Sequence, residues 1–139
     1  MDTIIAYTSG GAKGNPGPAA AGVYITTSTG EAVWETKKAL GNATTNFAEY
    51  YGVMLALQTL EEIYGQETQA MQFELSLANE LVKKQLAHEE PIKEPGLVPM
   101  FIEIHNMQVV KFPHLSFNHV APEKNIEASR LVSEALEGK

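Results

Sequence analysis

The chain has 139 residues, no cysteine and a net charge of −7, from ten basic and seventeen acidic side chains. Sixteen of the acids are Glu and only one is Asp, Asp2. That length suits a single domain over 1–139 with a real buried core, and the absence of cysteine excludes disulfides, thiolate metal sites and a thiol nucleophile. No apolar run approaches the ~18 residues of a membrane span, and MDTIIAYTS lacks a basic-then-apolar signal, so a soluble, cytoplasmic protein is expected. Charges in residues 1–48 cancel; the whole of the −7 falls in residues 49–139, where fourteen Glu face six Lys and one Arg. A single Arg, Arg130, leaves little capacity for bidentate phosphate contacts, which lowers the expectation of tight nucleic-acid binding.

In chain order, residues 3–8 (TIIAYT) read as a short buried strand. SGGAKGNPGP reads as a loop or turn on its Gly, Pro and Asn content. Residues 21–27 and 32–40 form a hairpin pair around Ser28–Glu31. Residues 41–45 carry helix-start chemistry, and Phe47, Tyr50, Met54, Leu57, Leu60 and Tyr64 recur at helical spacing up to Gly65. A strand over 71–77 precedes a short helix, ANELVKKQLAH; after Pro91 and Pro95 comes a helix over about 96–109. A last strand over 114–120 leads to an amphipathic helix with Ala128, Leu131, Val132, Ala135 and Leu136 inside. The order βββαβααβα implies an α/β mixed sheet covered by helices.

Four segments, in order and at matching spacing, resemble ribonuclease H of type 1, the reverse-transcriptase-like kind. They are Tyr7–Pro18 (YTSGGAKGNPGP), Ala43–Tyr50 (ATTNFAEY), Phe73–Val82 (FELSLANELV) and His119–Ser129 (HVAPEKNIEAS). Residues 92–97 (IKEPGL) are similar too. The resemblance implies a ribonuclease H-like fold, a five-stranded mixed sheet with helices on both faces. It also implies cleavage of the RNA strand of RNA–DNA hybrids by two Mg²⁺ or Mn²⁺ ions held on four carboxylates. Two such metals bridge the attacking and leaving oxygens, and hard Mg²⁺ takes oxygen ligands in tight octahedral geometry. The four positions are occupied here by Ser9, Glu49, Ala78 and Ser129, so three carboxylates are missing. Neighbouring residues differ as well, Leu77, Asn79 and Glu80 among them, which argues for natural degeneration rather than a single engineered change. Glu74, Glu80, Glu127 and Asp2 are expected to point or lie elsewhere and not to rebuild the site. No metal site and no cofactor are therefore expected.

For substrate contacts the resemblance implies Gly10, Gly11, Asn15 and Asn46 along the hybrid's minor groove and Thr44 at a DNA phosphate. The other reading of these residues is plain turn and helix-cap chemistry. His119 matches a family histidine that aids proton transfer or product release; without metals it reads as a half-buried strand residue. His88, His105 and His114 show no ligand spacing with one another. The 96–109 helix carries two apolar stripes: Leu97, Phe101, Ile104 and Gln108 flanked by Met100 and Met107, and Val98, Ile102, His105 and Val109. Either both faces are buried within the domain, or Val98, Ile102 and Val109 form a homodimer or protein-partner interface. The expectation is a catalytically inactive ribonuclease H-like module acting through protein contacts, with weak residual hybrid or nucleic-acid binding. The alternative is a ribonuclease that cleaves hybrids through a reorganised metal site.

Overall fold

A computed structural model describes residues 3–139; Met1 and Asp2, and with them the expected place of Asp2, lie outside the described residues. Strands β1 (Thr3–Ala12), β2 (Gly17–Thr27) and β3 (Ala32–Ala43) form an antiparallel meander. Helix α1 (Thr45–Tyr64) crosses to β4 (Gln72–Leu77), which runs parallel to β1. Helices α2 (Glu80–Leu86) and α3 (Val98–Lys111) follow, then β5 (Leu115–His119), parallel to β4, and α4 (Ile126–Leu136). The sheet order is β3-β2-β1-β4-β5, five strands with helices on both faces, as expected.

Strand alternation decides the layers. Ile4 and Ala6 of β1, Val23 and Ile25 of β2, and Phe73, Leu75 and Leu77 of β4 point into one core with Tyr50, Val53 and Leu57 of α1. Val82 and Leu86 of α2 and Ile104 of α3 close the same core. The buried Tyr50 hydroxyl donates to Gln85 Oε1 at 2.6 Å, and Gln85 Nε2 donates to the Pro91 carbonyl at 3.3 Å, tying α1, α2 and the following turn together. Helix α4 covers the opposite face, burying Ala128, Leu131 and Val132 against β1 and β2.

One expectation needs correction. The segment SGGAKGNPGP is not mainly loop: β1 continues through Ser9, Gly10, Gly11 and Ala12, and β2 begins at Gly17. Ladder pairing of Gly10 with Ala21 and Gly11 with Ala20 overrides the local turn composition. The glycines have a packing reason. A Cβ on Gly10 would collide with the Ala48–Glu49 backbone of α1, a Cβ on Gly52 would meet the Ser9 carbonyl oxygen at 3.0 Å, and a Cβ on Gly11 would press on Val132 of α4. His88 and His105, which show no ligand spacing in the sequence, meet as aromatic rings. His88 follows α2 with φ of 64°, the only positive-φ residue besides glycines among those described, and its ring meets those of Phe101 and His105 on α3.

Helix α3 buries one stripe only. Leu97 and Ile104 are buried and Met100, Phe101 and Met107 pack beside them, whereas Val98, Ile102 and Val109 are 39%, 50% and 60% exposed. A helix buried on both sides is excluded within this chain.

The close approach at Gly10 makes a direct prediction. Gly10→Ala forces α1 off β1 and costs about 3 kcal/mol of folding stability, the upper part of the overpacking range; urea unfolding at fixed pH measures it.

Candidate functional site

Parallel strands β1, β4 and β5 end side by side, with Thr8 opposite Leu77 and Leu77 opposite His119. Ser9 and Ala78 each follow the last of these pairs, so they emerge on neighbouring strands at the same sheet edge. Helix α1 passes over Gly10 at backbone contact and thereby places Glu49 at this edge. Asn125, at the start of α4, donates from Nδ2 to the Thr8 carbonyl at 2.9 Å; one helical turn on, the Ser129 amide bonds the Asn125 carbonyl at 3.1 Å. Ser9, Glu49, Ala78 and Ser129 are thus brought to one end of the sheet by four different elements.

Glu49 is 8% exposed. Burial pushes its carboxyl up from the usual 4.5 to about 7, the backbone amide of Gly10 only partly opposing the shift. Its Oε2, together with Thr8 Oγ1 and Asn125 Oδ1, has no hydrogen-bond partner within the chain; these three are the buried side-chain polar atoms so left among the described residues. A buried carboxylate oxygen without a partner is costly in its charged form, which explains why the proton is retained.

The residues do not fit the two-metal group that the resemblance implies. Glu49 is the one carboxylate among the four positions, Ser9 and Ser129 offer neutral hydroxyls, and Ala78 offers nothing. Among the described residues no group of three or more His, Asp or Glu is placed to hold a metal. The other nearby acids are engaged: Glu127 with Arg130 at 2.9 Å, Glu80 with Lys84 at 3.0 Å, and Glu74 Oε1 accepts from Ser76 Oγ at 3.5 Å. One carboxylate that keeps its proton near neutrality does not offset the repulsion of two dications.

His119 is exposed rather than half-buried; its Nε2 lies 3.2 Å from the Ala78 carbonyl oxygen. Its Nδ1 lies 3.9 Å from Glu80 Oε2, so Glu80 sits over the rim of the site beside His119 instead of turning away from this region. The expected substrate residues all have work inside the chain. Asn15 Oδ1 accepts from the Thr45 amide at 3.0 Å, and Thr44 caps α1 by accepting from the Phe47 amide at 3.1 Å. Asn46 donates to Glu94 Oε1 at 2.9 Å and accepts from Asn79 Nδ2 at 3.2 Å. Gly10 and Gly11 are held by packing, as described. Asn79, Glu94 and Asn125 escaped the sequence reading as site residues. Asn79 and Asn125 carry one legible signal, an Asn immediately before a helix.

Thr44, Asn42, Phe47 and Leu97 line a cavity of about 280 Å³ that also contains Glu94, a carboxylate unfavourable to a phosphate. The one arginine is unavailable: Arg130 Nε, Nη1 and Nη2 donate to Glu127, Glu134 and Glu35 at 2.9, 2.8 and 2.9 Å.

A family model described as reverse transcriptase-like matches residues 8–135. A bifunctional protein of Mycobacterium tuberculosis is 27% identical over 135 residues, covering 96% of this chain and 35% of its own length. Ribonuclease HI of Halobacterium salinarum is 33% identical over 134 residues, 96% of this chain and 64% of that protein. The chain therefore spans about a third of the mycobacterial relative and less than two thirds of the haloarchaeal one. An RNase H1 isolated from compost by a metagenomic approach superposes with a TM-score of 0.94 at 38% identity, covering 99% of this chain and 98% of that one. The same compost protein in complex with an RNA/DNA hybrid superposes at 0.93, covering 97% of each chain.

The Glu49 environment sets a pH dependence. The folded carboxyl titrates near 7 and the unfolded one near 4.5, so the folded state binds the extra proton between those values. Its contribution to stability is fully present below about pH 4.5 and is lost as pH rises through 7, by up to about 3 kcal/mol at pH 8. Glu49→Gln removes that loss. The stability of the variant relative to the parent therefore grows from pH 5 to pH 8 in urea unfolding; a constant difference would show that Glu49 titrates normally.

Proposed function

The chain belongs to the reverse transcriptase-like family and has the ribonuclease H-like fold, and from that membership we propose that it is a ribonuclease H-like module without hybrid-cleaving activity. The observation that carries this reading is the site itself: Ser9, Ala78 and Ser129 stand at three of the four carboxylate positions, and the remaining Glu49 is buried with Oε2 unpartnered. What these residues remain equipped for is recognition. Gly10, Gly11, Asn15, Thr44 and Asn46 retain the positions that the family uses along a hybrid, and the compost RNase H1 relative binds an RNA/DNA hybrid. Such recognition works through backbone, amide and 2′-hydroxyl contacts across a shallow minor groove and does not itself require a metal.

Binding by this chain is weak, and its salt dependence is shallow because few cations are free to meet phosphates. Arg130 is neutralised by three carboxylates, Glu94 lines the cavity beside Thr44, and Lys13 is the cation of the neighbouring loop. With three carboxylates gone, the site no longer needs a divalent ion to screen it from a phosphate backbone. Hybrid affinity is accordingly the same in EDTA and in Mg²⁺.

Incubation with a labelled RNA–DNA hybrid in Mg²⁺ or Mn²⁺ leaves the RNA intact. Ser9→Asp, Ala78→Asp and Ser129→Asp introduced together bring metal-dependent cleavage back, because the elements that converge on the site are in place. Cleavage by the unaltered chain, abolished by Glu49→Gln, would overturn this reading.

The same module also has a protein contact on the outer face of α3. Val98, Ile102, His105 and Val109 recur at alternating four- and three-residue steps, the seam by which one helix packs on another. Three of these residues are the exposed apolar ones noted above, and Glu103 and Lys111 are the charged residues of the helix, Lys111 being paired with Glu61. The reading is a helix-to-helix contact with a second copy of the chain. Sedimentation then gives a dimer at high concentration that Ile102→Asp converts to a monomer of unchanged stability. A monomer destabilised by that substitution would make Ile102 a residue of the chain's own packing instead.

A further inference from the structure

At the first turn of α1 the polar atoms that would meet a hybrid already have partners. Asn46 Nδ2 donates to Glu94 Oε1 at 2.9 Å, and Asn46 Oδ1 accepts from Asn79 Nδ2 at 3.2 Å. Asn79 is itself held, since its Oδ1 accepts from the Val82 amide at 3.1 Å. Glu94 also lines the cavity of about 280 Å³ that contains Thr44 and Phe47. One carboxylate thus bears on two neighbouring contact positions. We propose that Glu94 is a specificity-determining residue that competes with nucleic acid from within the chain: it clamps the Asn46 amide and repels a phosphate at Thr44. This inference rests on the hybrid recognition proposed above, in which Thr44 and Asn46 are contact positions.

The backbone keeps Glu94 at this place. Pro95 restricts the residue before it to extended backbone, and Glu94 has φ −95° and ψ 108°. The Leu97 amide returns to the Glu94 carbonyl at 3.0 Å, and Leu97 is buried in the core. The turn is therefore anchored from below while the Glu94 side chain stays at the surface beside α1.

The carboxylate opposes the two contacts for different physical reasons. Glu94 forms no ion pair among the described residues, whereas Glu80 and Glu89 are paired with Lys84 and Lys83. Its charge is consequently uncompensated, and it reaches Tyr50, whose hydroxyl is pushed up to about 12 by burial first and by Glu94 second. A phosphate at Thr44 meets that same charge, and juxtaposed like charges suppress association. At Asn46 the competition is one of hydrogen bonds. A carboxylate is a stronger acceptor than a neutral hydroxyl or base edge, so a ligand that takes the Asn46 amide exchanges a charge-assisted bond for a weaker one. The Glu94 oxygen then needs a new partner.

Hybrid affinity of the full chain, measured at fixed low salt by anisotropy of a labelled RNA–DNA hybrid, tests the clamp. Glu94→Gln removes the charge, keeps an acceptor for Asn46 and tightens binding about threefold. Glu94→Ala removes both and tightens it about tenfold. In an Asn46→Ala background the difference between Gln and Ala at position 94 disappears. Glu31→Gln changes the net charge equally in the β2–β3 turn, next to Thr27 and the start of β1, and leaves affinity as it was. Equal affinity of the parent and both Glu94 variants would overturn the proposal and leave hybrid recognition standing. A gain of Ala over Gln that persists without Asn46 would overturn the clamp. Absence of binding by the parent and every variant would overturn hybrid recognition itself, and the proposal with it.

Discussion

A helix can lie on a sheet at backbone distance only where the side chains between them have gone, and here that happens as α1 crosses β1 at Gly10 and Gly52. The contact is what places Glu49 at the sheet edge, buries it, and leaves its Oε2 without a partner. Gly11 and Gly22 let α4 approach the other face in the same way, their added Cβ atoms meeting Val132 and the Ala128–Leu131 segment. Four small residues therefore hold two helices against two strands, and the functional end of the molecule is a consequence of that spacing. The Asn125 bond to the Thr8 carbonyl then sets the start of α4 relative to β1.

Much of this was legible from the sequence, for identifiable reasons. Helix α1 announced itself through the period of its apolar residues and the Gly65 stop, where φ is 58°. The convergence of Ser9, Glu49, Ala78 and Ser129 followed from the order of four motifs. The length of β1 did not. Gly and Pro read locally as a turn, whereas the strand there is maintained by pairing with residues ten or so positions away, which composition does not encode. The Asn46–Asn79–Glu94 network joins three separate stretches of chain, and the meeting of His88 with His105 depends on a left-handed residue that no periodicity signals. Apolar pattern reports on faces; it says little about which polar atoms meet across elements.

The net charge of −7 acquires a different meaning once its partners are known. Lys37, Lys83, Lys84, Lys111, Lys139 and Arg130 are each paired with a carboxylate in the chain. Among the described residues Lys13, Lys38, Lys93 and Lys124 form no such pair, and Lys38 lies over the Tyr51 ring at 5.4 Å from its centroid. Most of the positive charge is thus spent on holding surface elements to one another, the clearest case being Arg130 between α4 and β3. What remains to attract a phosphate backbone is small and scattered, and electrostatic attraction is the part of nucleic-acid affinity that does not depend on sequence.

The four residues Ser9, Glu49, Ala78 and Ser129 also differ in their surroundings, and the difference has a physical order. Ser9 and Ala78 are partly exposed and Ser129 is exposed, so a small neutral residue at each leaves no cavity and strands no polar partner. Glu49 differs, being packed under β1 where a shorter side chain would open a void and a charged one lacks a counter-ion. Retaining Glu while binding a proton satisfies both constraints, since a neutral carboxyl fills the space at a far smaller desolvation cost than a carboxylate. Three more carboxylates beside it would, in the absence of metal, raise its pKa further, because mutual repulsion at short range favours the protonated forms. Packing and protonation together therefore account for a Glu buried at this position.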